Sequence, residues 1–218
     1  EAARRIGEEG IVLLHNKHNN LPIAPDARRI LVVGENAVKM MTVGGGSSSL
    51  KVKHECSPLE GIERHYAGRA EVLYARGYVG DVTGDYNGVV TGQNLEDSRS
   101  AEELIAEAVA MAKSADHVIF VGGLNKSEKQ DSEGADRLSL GLPYNQDDVI
   151  EALARATKHL TVVLVSGNAV ETRRSPLAKA IVQGWYGGSE AGHAIVDVVS
   201  GAVNPSGKLP FSFYARLE

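Results

Sequence analysis

The sequence predicts an α/β fold built on a mostly parallel sheet, and three observations predict it. Five short apolar runs rich in β-branched residues lie at 30–33, 71–74, 117–121, 160–165 and 180–182. Stretches with helical spacing of apolar residues fall between them. Three of the runs stop in or near a glycine: Gly34, Gly122 and Gly167. Near-continuous apolar runs mark strands buried on both faces. Strands that alternate with helices place those helices over a parallel sheet, with right-handed crossovers.

Taken in chain order, residues 1–14 put Ile6, Val12 and Leu13 or Leu14 on one stripe, which predicts an opening helix. A second helix is predicted over 100–114, where Leu104, Ile105, Ala108, Val109 and Ala112 share a face and Ser100 is the N-cap. A third spans 145–157, carrying Val149, Ile150, Leu153 and Ala154. The last spans 189–200, carrying Ala191, Ile195, Val198 and Val199. Trp185, at the end of a strand, is read as a core residue. Three stretches match no regular element: 42–53, 77–99 and 122–143. Long loops in compact domains are usually functional or disordered. In an open parallel sheet the ligand crevice lies beyond the carboxyl ends of the strands. The loop over 122–143 leaves such an end and is the first place to look.

Composition narrows the function. The chain has 218 residues, 23 Lys and Arg against 28 Asp and Glu, and a formal net charge of -5, which argues against nucleic acid or a membrane surface as partner. The apolar runs are too short to span a bilayer. Cys56 is the single cysteine, so no internal disulfide framework exists, and the compartment stays open. The chain opens on Glu1 with no apolar run of signal-peptide length, which suggests a processed or excised piece of something longer. No repeat or linker-like shift in composition divides it, so residues 1–218 are expected to form one domain.

Several motifs fail on inspection. Gly34-Glu35-Asn36-Ala37 lacks the second glycine of a dinucleotide fingerprint, and Glu35 would repel a phosphate. Gly122-Gly123-Leu124-Asn125-Lys126-Ser127 lacks the glycine that a phosphate loop needs before its lysine. Asn125-Lys126-Ser127 matches a glycosylation sequon, a triplet that chance supplies often. Gly187-Gly188-Ser189-Glu190-Ala191 is one residue away from a nucleophile elbow, and Ser189 is read instead as the cap of the helix that follows. No Cys and His pattern has zinc spacing, so no metal is expected. What remains is the loop with Glu128, Asp131, Glu133 and Asp136, beside Arg137. Clustered carboxyls hold one another's protons more tightly, which suits a general acid near neutral pH, but on charge alone a merely solvated acidic loop is the favoured reading.

The loop is more specific than its charge. Glu133-Gly134-Ala135-Asp136-Arg137, then Leu142-Pro143-Tyr144-Asn145-Gln146, resembles the E-G-x-D-R…L-P-x-x-Q signature in the second, C-terminal domain of family 3 glycoside hydrolases, the β-glucosidase and β-xylosidase group. Five further blocks match that family in the same order. They are residues 9–16 with Leu21-Pro22-Ile23, the glycine-serine run 44–48, Ser166-Gly167-Asn168-Ala169-Val170, residues 185–192, and residues 201–210 with Asn204-Pro205-Ser206-Gly207-Lys208-Leu209-Pro210. Together they cover essentially the whole chain.

The resemblance implies a three-layer α/β sandwich around a mainly parallel sheet of about six strands. It implies a domain of a retaining β-glycosidase, most simply a β-glucosidase acting on terminal β-linked sugars, in which two carboxyls ~5–5.5 Å apart work through a covalent glycosyl-enzyme. The nucleophile would be an Asp on a (β/α)8-type barrel, in cis or in trans, that this chain lacks. Glu133 matches the family's general acid/base, with Glu128 as second choice. Ser47 and Ser48 match a loop that approaches the leaving-group side of the sugar, and Asp136 and Arg137 would anchor the catalytic loop by a charge-assisted contact. No aromatic stands in the 44–48 run to stack on a sugar. The segment Glu171-Thr172-Arg173-Arg174 is more charged than the family's apolar stretch. Family members that use a barrel His as acid/base often lack this domain, and the Glu133 motif argues against that branch. The chemistry needs no cofactor, and a secreted or periplasmic setting would suit it. Alone, without the barrel, the chain should be inactive. The alternative is a non-catalytic module that packs on a partner or binds carbohydrate.

Overall fold

A computed structural model describes residues 1–42, 50, 52–82, 91–127, 130–132, 136–171 and 177–215. Among them, six strands form one sheet: β1 (Val12–Asn16), β2 (Arg29–Val33), β3 (Glu71–Ala75), β4 (His117–Gly123), β5 (Leu160–Val165) and β6 (Ala180–Gln183). Their order is β1-β6-β5-β4-β2-β3. All pairings are parallel except that of β1 with β6. Five helices are described: α1 (Ala2–Gly10), α2 (Pro58–Tyr66), α3 (Ala101–Ala112), α4 (Gln146–Ala156) and α5 (Ala191–Ser200).

Residue parity sorts the core into two halves, because successive strand side chains point to opposite faces. Ile30, Val32, Ile119, Val121, Val163 and Val182 pack with Ile62 and Tyr66 of α2 and with Ile195, Val198 and Val199 of α5. Leu31, Val33, Val118, Phe120, Val162 and Leu164 pack with Ala108 and Ala112 of α3 and Val149, Ile150 and Leu153 of α4. The result is three layers, with every residue of β4 and β5 buried. Burial on both faces explains why these strands read as unbroken apolar runs.

Ser100 caps α3 as expected, in a reciprocal box with Glu103. Four expectations need correction. The predicted helix over 1–14 stops at Gly10, and residues 12–16 become the sixth strand. Glycine weakens a helix interior, and the apolar run after it gains more by pairing with the open edge of β6. Helix α2 escaped notice, although Ser57 caps it by accepting from the Glu60 N–H and Pro58 stands in its first turn. Ser189 does not cap α5: it sits in a 3-10 turn over Gly188–Glu190, and its carbonyl accepts from the Cys56 N–H at 2.8 Å. Trp185 is only half-buried, at φ 55°, and meets Phe211 and Phe213 edge-on instead of entering the core.

Strand order reverses between β2 and β4, since β3 lies outside β2 while β5, β6 and β1 lie beyond β4. Ligands of open α/β sheets bind at such a reversal. Gly34 makes the turn out of β2 at φ 122°, where a Cβ would stand 2.1 Å from the Val121 carbonyl oxygen. Only glycine fits that approach.

Candidate active site

The reversal itself is bridged by the protein: the Asn36 amide donates to the Leu124 carbonyl at 2.9 Å, and the Ser127 hydroxyl to the Asp81 carboxylate at 2.5 Å. Glu35, at the end of β2, is 1% exposed and accepts from the Arg76 guanidinium at 2.8 Å and from the Gly80 N–H at 2.6 Å. Arg76 also donates to the Leu95 and Tyr78 carbonyls. The buried Lys39 ammonium lies 3.5 Å from the Glu35 carboxylate and donates to the Asp81 carbonyl at 2.5 Å. Both hydrogen bonds reach one carboxylate oxygen, while the other faces the Lys39 ammonium, so two cations offset the cost of burying this charge. A buried carboxylate at this turn would also repel a phosphate, in line with the incomplete glycine fingerprint.

An open cleft lies one step along the sheet edge, beyond β4, β5 and β6. At the end of β4, the Gln146 amide clamps the Gly123 peptide from both sides, accepting from its N–H and donating to its carbonyl, each at 2.8 Å. Gly123 has φ 119°, and a Cβ there would lie 2.3 Å from the Val165 carbonyl oxygen. The chain then folds back on itself. The Asn125 side chain accepts from the Ser127 N–H at 2.8 Å, an Asx turn, and the Asn125 backbone N–H donates to the Gln130 side-chain oxygen at 2.9 Å. Tyr144 joins the same turn, accepting from Gln130 at 2.8 Å and from Asn125 at 3.3 Å. Asn125 is 2% exposed, so the sequon offers no glycan acceptor in this fold.

The segment ends at Asp131, whose carboxylate reaches across two strand ends. It accepts from the Gly167 N–H at 2.7 Å, the Asn168 amide at 2.9 Å and the Tyr186 hydroxyl at 2.8 Å. Lys126 stands over the Tyr186 ring, its ammonium 4.6 Å from the centroid. Burial pushes the Lys126 pKa down, and the nearby Glu55 and Asp131 carboxylates oppose that shift. Arg137 donates to the Ala169 carbonyl at 2.5 Å. These groups line a cleft of about 740 Å³, with Lys126, Asp131, Asp136, Arg137, Asn168 and Tyr186 on its walls. Cations, carboxylates, an amide and an aromatic ring around one cleft suit a hydroxyl-rich ligand. No group of three or more His, Cys, Asp or Glu among the described residues could hold a metal.

Of the residues expected to work here, Asp136 and Arg137 line the cleft. Glu133, Glu128, Ser47 and Ser48 lie outside the described residues. Ser132 and Asp136, the described residues on either side of Glu133, are both on the cleft wall. Sequence reasoning gave no role to Lys126, Gln146 or Tyr186. Lys126 was weighed only as a phosphate-loop lysine, and Gln146 stood in the loop signature without a partner.

Residues 11–218 match the model of the glycosyl hydrolase family 3 C-terminal domain. The chain belongs to this family. As a family 3 C-terminal domain it is 47% identical to a β-glucosidase of Bacteroides ovatus over 99% of its own length and 29% of that protein's. It is 37% identical to a periplasmic β-glucosidase of Salmonella typhimurium, over 97% of this chain and 28% of that protein. The chain thus spans less than a third of the length of these curated relatives. Among solved structures, a β-glucosidase from Erythrobacter marinus superposes with a TM-score of 0.81 at 33% identity, over 95% of this chain and 29% of that one. A Kluyveromyces marxianus β-glucosidase crystallised with glucose shares the fold, with a TM-score of 0.86 at 21% identity over 98% of this chain and 42% of that one.

Proposed function

We propose that residues 1–218 are the second domain of a retaining β-glucosidase and supply its general acid/base, Glu133. The supporting observation is that this family 3 domain matches β-glucosidases along nearly its whole length, while each of them is more than three times longer. The remainder of the parent protein would hold a (β/α)8-type barrel, the nucleophilic Asp and the pocket for the terminal sugar. In the first step the nucleophile attacks the anomeric carbon and Glu133 gives its proton to the leaving oxygen. In the second, Glu133 takes a proton from the water that releases the sugar. Asp136 and Arg137 serve the loop as anchors; the Arg137 bond to the Ala169 carbonyl supports that role. Ser47 and Ser48 contribute contacts on the leaving-group side, Glu128 stands as the competing acid, and the reaction calls for no cofactor or metal.

The test uses the full-length gene product. Glu133→Ala should slow hydrolysis of cellobiose by about 10²–10⁴-fold, the usual worth of a general acid. An activated dinitrophenyl glucoside needs less protonation and should suffer less in the first step, and azide should restore turnover by replacing the activated water. Wild-type rates on cellobiose would remove Glu133 from the mechanism and send the search to Glu128.

A further inference from the structure

We propose that Asp131 is the positioning residue of the acid/base loop, seating it across the ends of β5 and β6; this rests on the reading of Glu133 as acid/base. A carboxylate can only accept, and every donor it meets here comes from another part of the fold. Gly167 and Asn168 follow β5, and Tyr186 follows β6. The Asp131 N–H also donates to the Asn125 carbonyl at 3.0 Å, which ties the same residue to the turn after β4. Three strand ends thus meet at one residue, two through its carboxylate and one through its backbone N–H. Two residues of chain reach at most about 7 Å, so the seat of Asp131 limits how far position 133 can lie from it.

The donors are themselves held. Buried Gln183, on β6, donates to the Ser166 carbonyl at 2.9 Å and to its hydroxyl at 3.0 Å, and that hydroxyl donates to the Asn168 carbonyl at 2.9 Å. The turn that presents the Gly167 and Asn168 donors therefore cannot follow the loop if the loop slips. Lys126 lies over the Tyr186 ring, its ammonium 4.6 Å from the centroid, and so packs against the third donor. The arrangement fixes the loop by one residue that touches neither reacting atom, a role separate from the anchor at Arg137.

Asp131→Asn has nearly the same shape but turns one acceptor oxygen into a donor, facing donors. In the full-length protein it should lower kcat/KM on cellobiose by about 10–100-fold, the scale of an ångström-sized misplacement. It should lower the value for a dinitrophenyl glucoside several-fold less, because that substrate leans less on the acid. A residue needed only for folding would affect both substrates alike. Tyr186→Phe removes one donor and keeps the ring, so it should shift the same ratio in the same direction by a smaller factor. The double variant should fall short of the product of the two, since both act on one contact. Glu133→Ala is measured beside them. If it shows leaving-group dependence and azide rescue while Asp131→Asn and Tyr186→Phe treat both substrates alike, this proposal fails alone. A Glu133→Ala enzyme indifferent to leaving group and azide would overturn the acid/base assignment, and the role of Asp131 with it.

Discussion

Over the ends of β2 and β3, Glu35, Lys39, Arg76 and Asp81 close the carboxyl edge of the sheet, with Asp81 accepting from Ser127 after β4; beyond β4, β5 and β6 the same edge opens into a cleft of about 740 Å³. Sheet topology alone would put the ligand in the first crevice. Here that crevice is spent on internal ion pairs with little solvent access, and the exposed polar groups collect at its neighbour. In the closed region the charges point at one another. In the open one, Lys126, Asp136 and Arg137 share a wall with an amide and a ring, and Asp131 is engaged by donors from two strand ends. Fold geometry selects the edge of the sheet; the side chains that leave it decide which gap becomes the site.

The two regions therefore respond to mutation on different scales. Arg76→Ala in the closed crevice leaves Glu35 buried beside a single remaining cation and should cost about 3–5 kcal/mol of unfolding free energy in urea. A loss under about 1 kcal/mol would mean that water reaches the crevice and that it is not closed.

The opposite end of the sheet offers the next largest effect, through pH. His117, at the start of β4, is 3% exposed, and burial lowers its pKa to about 3, with His159 adding to the shift. The unfolded chain would bind a proton near pH 6.5 that the folded chain refuses until about 3. Stability therefore falls as pH drops through that window, by about 2 kcal/mol for this group between pH 7 and pH 5. His117→Gln should flatten that part of the curve. An unchanged slope would show that His117 is protonated within the fold.

Smallest of all should be Lys126→Met, which takes a charge from the open cleft. Its ammonium makes a cation-π contact with Tyr186, so the change should stay within about 1 kcal/mol. A loss as large as that for Arg76→Ala would make the cleft a structural element and erase the distinction between the two regions.

The sheet was legible because burial on both faces leaves a plain mark: the five apolar runs are β2 to β6. Strand β1 was hidden because its residues also fit a helical stripe, and only its pairing with β6 decides the matter. Trp185 misled because a large aromatic after a strand is usually core, whereas here the backbone turns to positive φ and carries the ring toward the C-terminal segment. Of the candidate site, the sequence marked a loop and a signature, and among the described residues Asp136 and Arg137 of that signature line the cleft. The supports of the loop were not legible: Asp131 meets Tyr186 across 55 positions and Gly167 across 36, and no local pattern encodes such distances.

The most direct test of the account is the pH dependence of kcat/KM for the full-length protein and its Glu133→Gln variant, on a dinitrophenyl glucoside and on cellobiose. The wild-type profile on cellobiose should fall at high pH as the acid loses its proton. The variant has no proton to lose at position 133, so its alkaline limb should vanish and the two substrates should diverge in rate. An alkaline limb that survives the substitution would contradict the account, because the proton would then come from another residue.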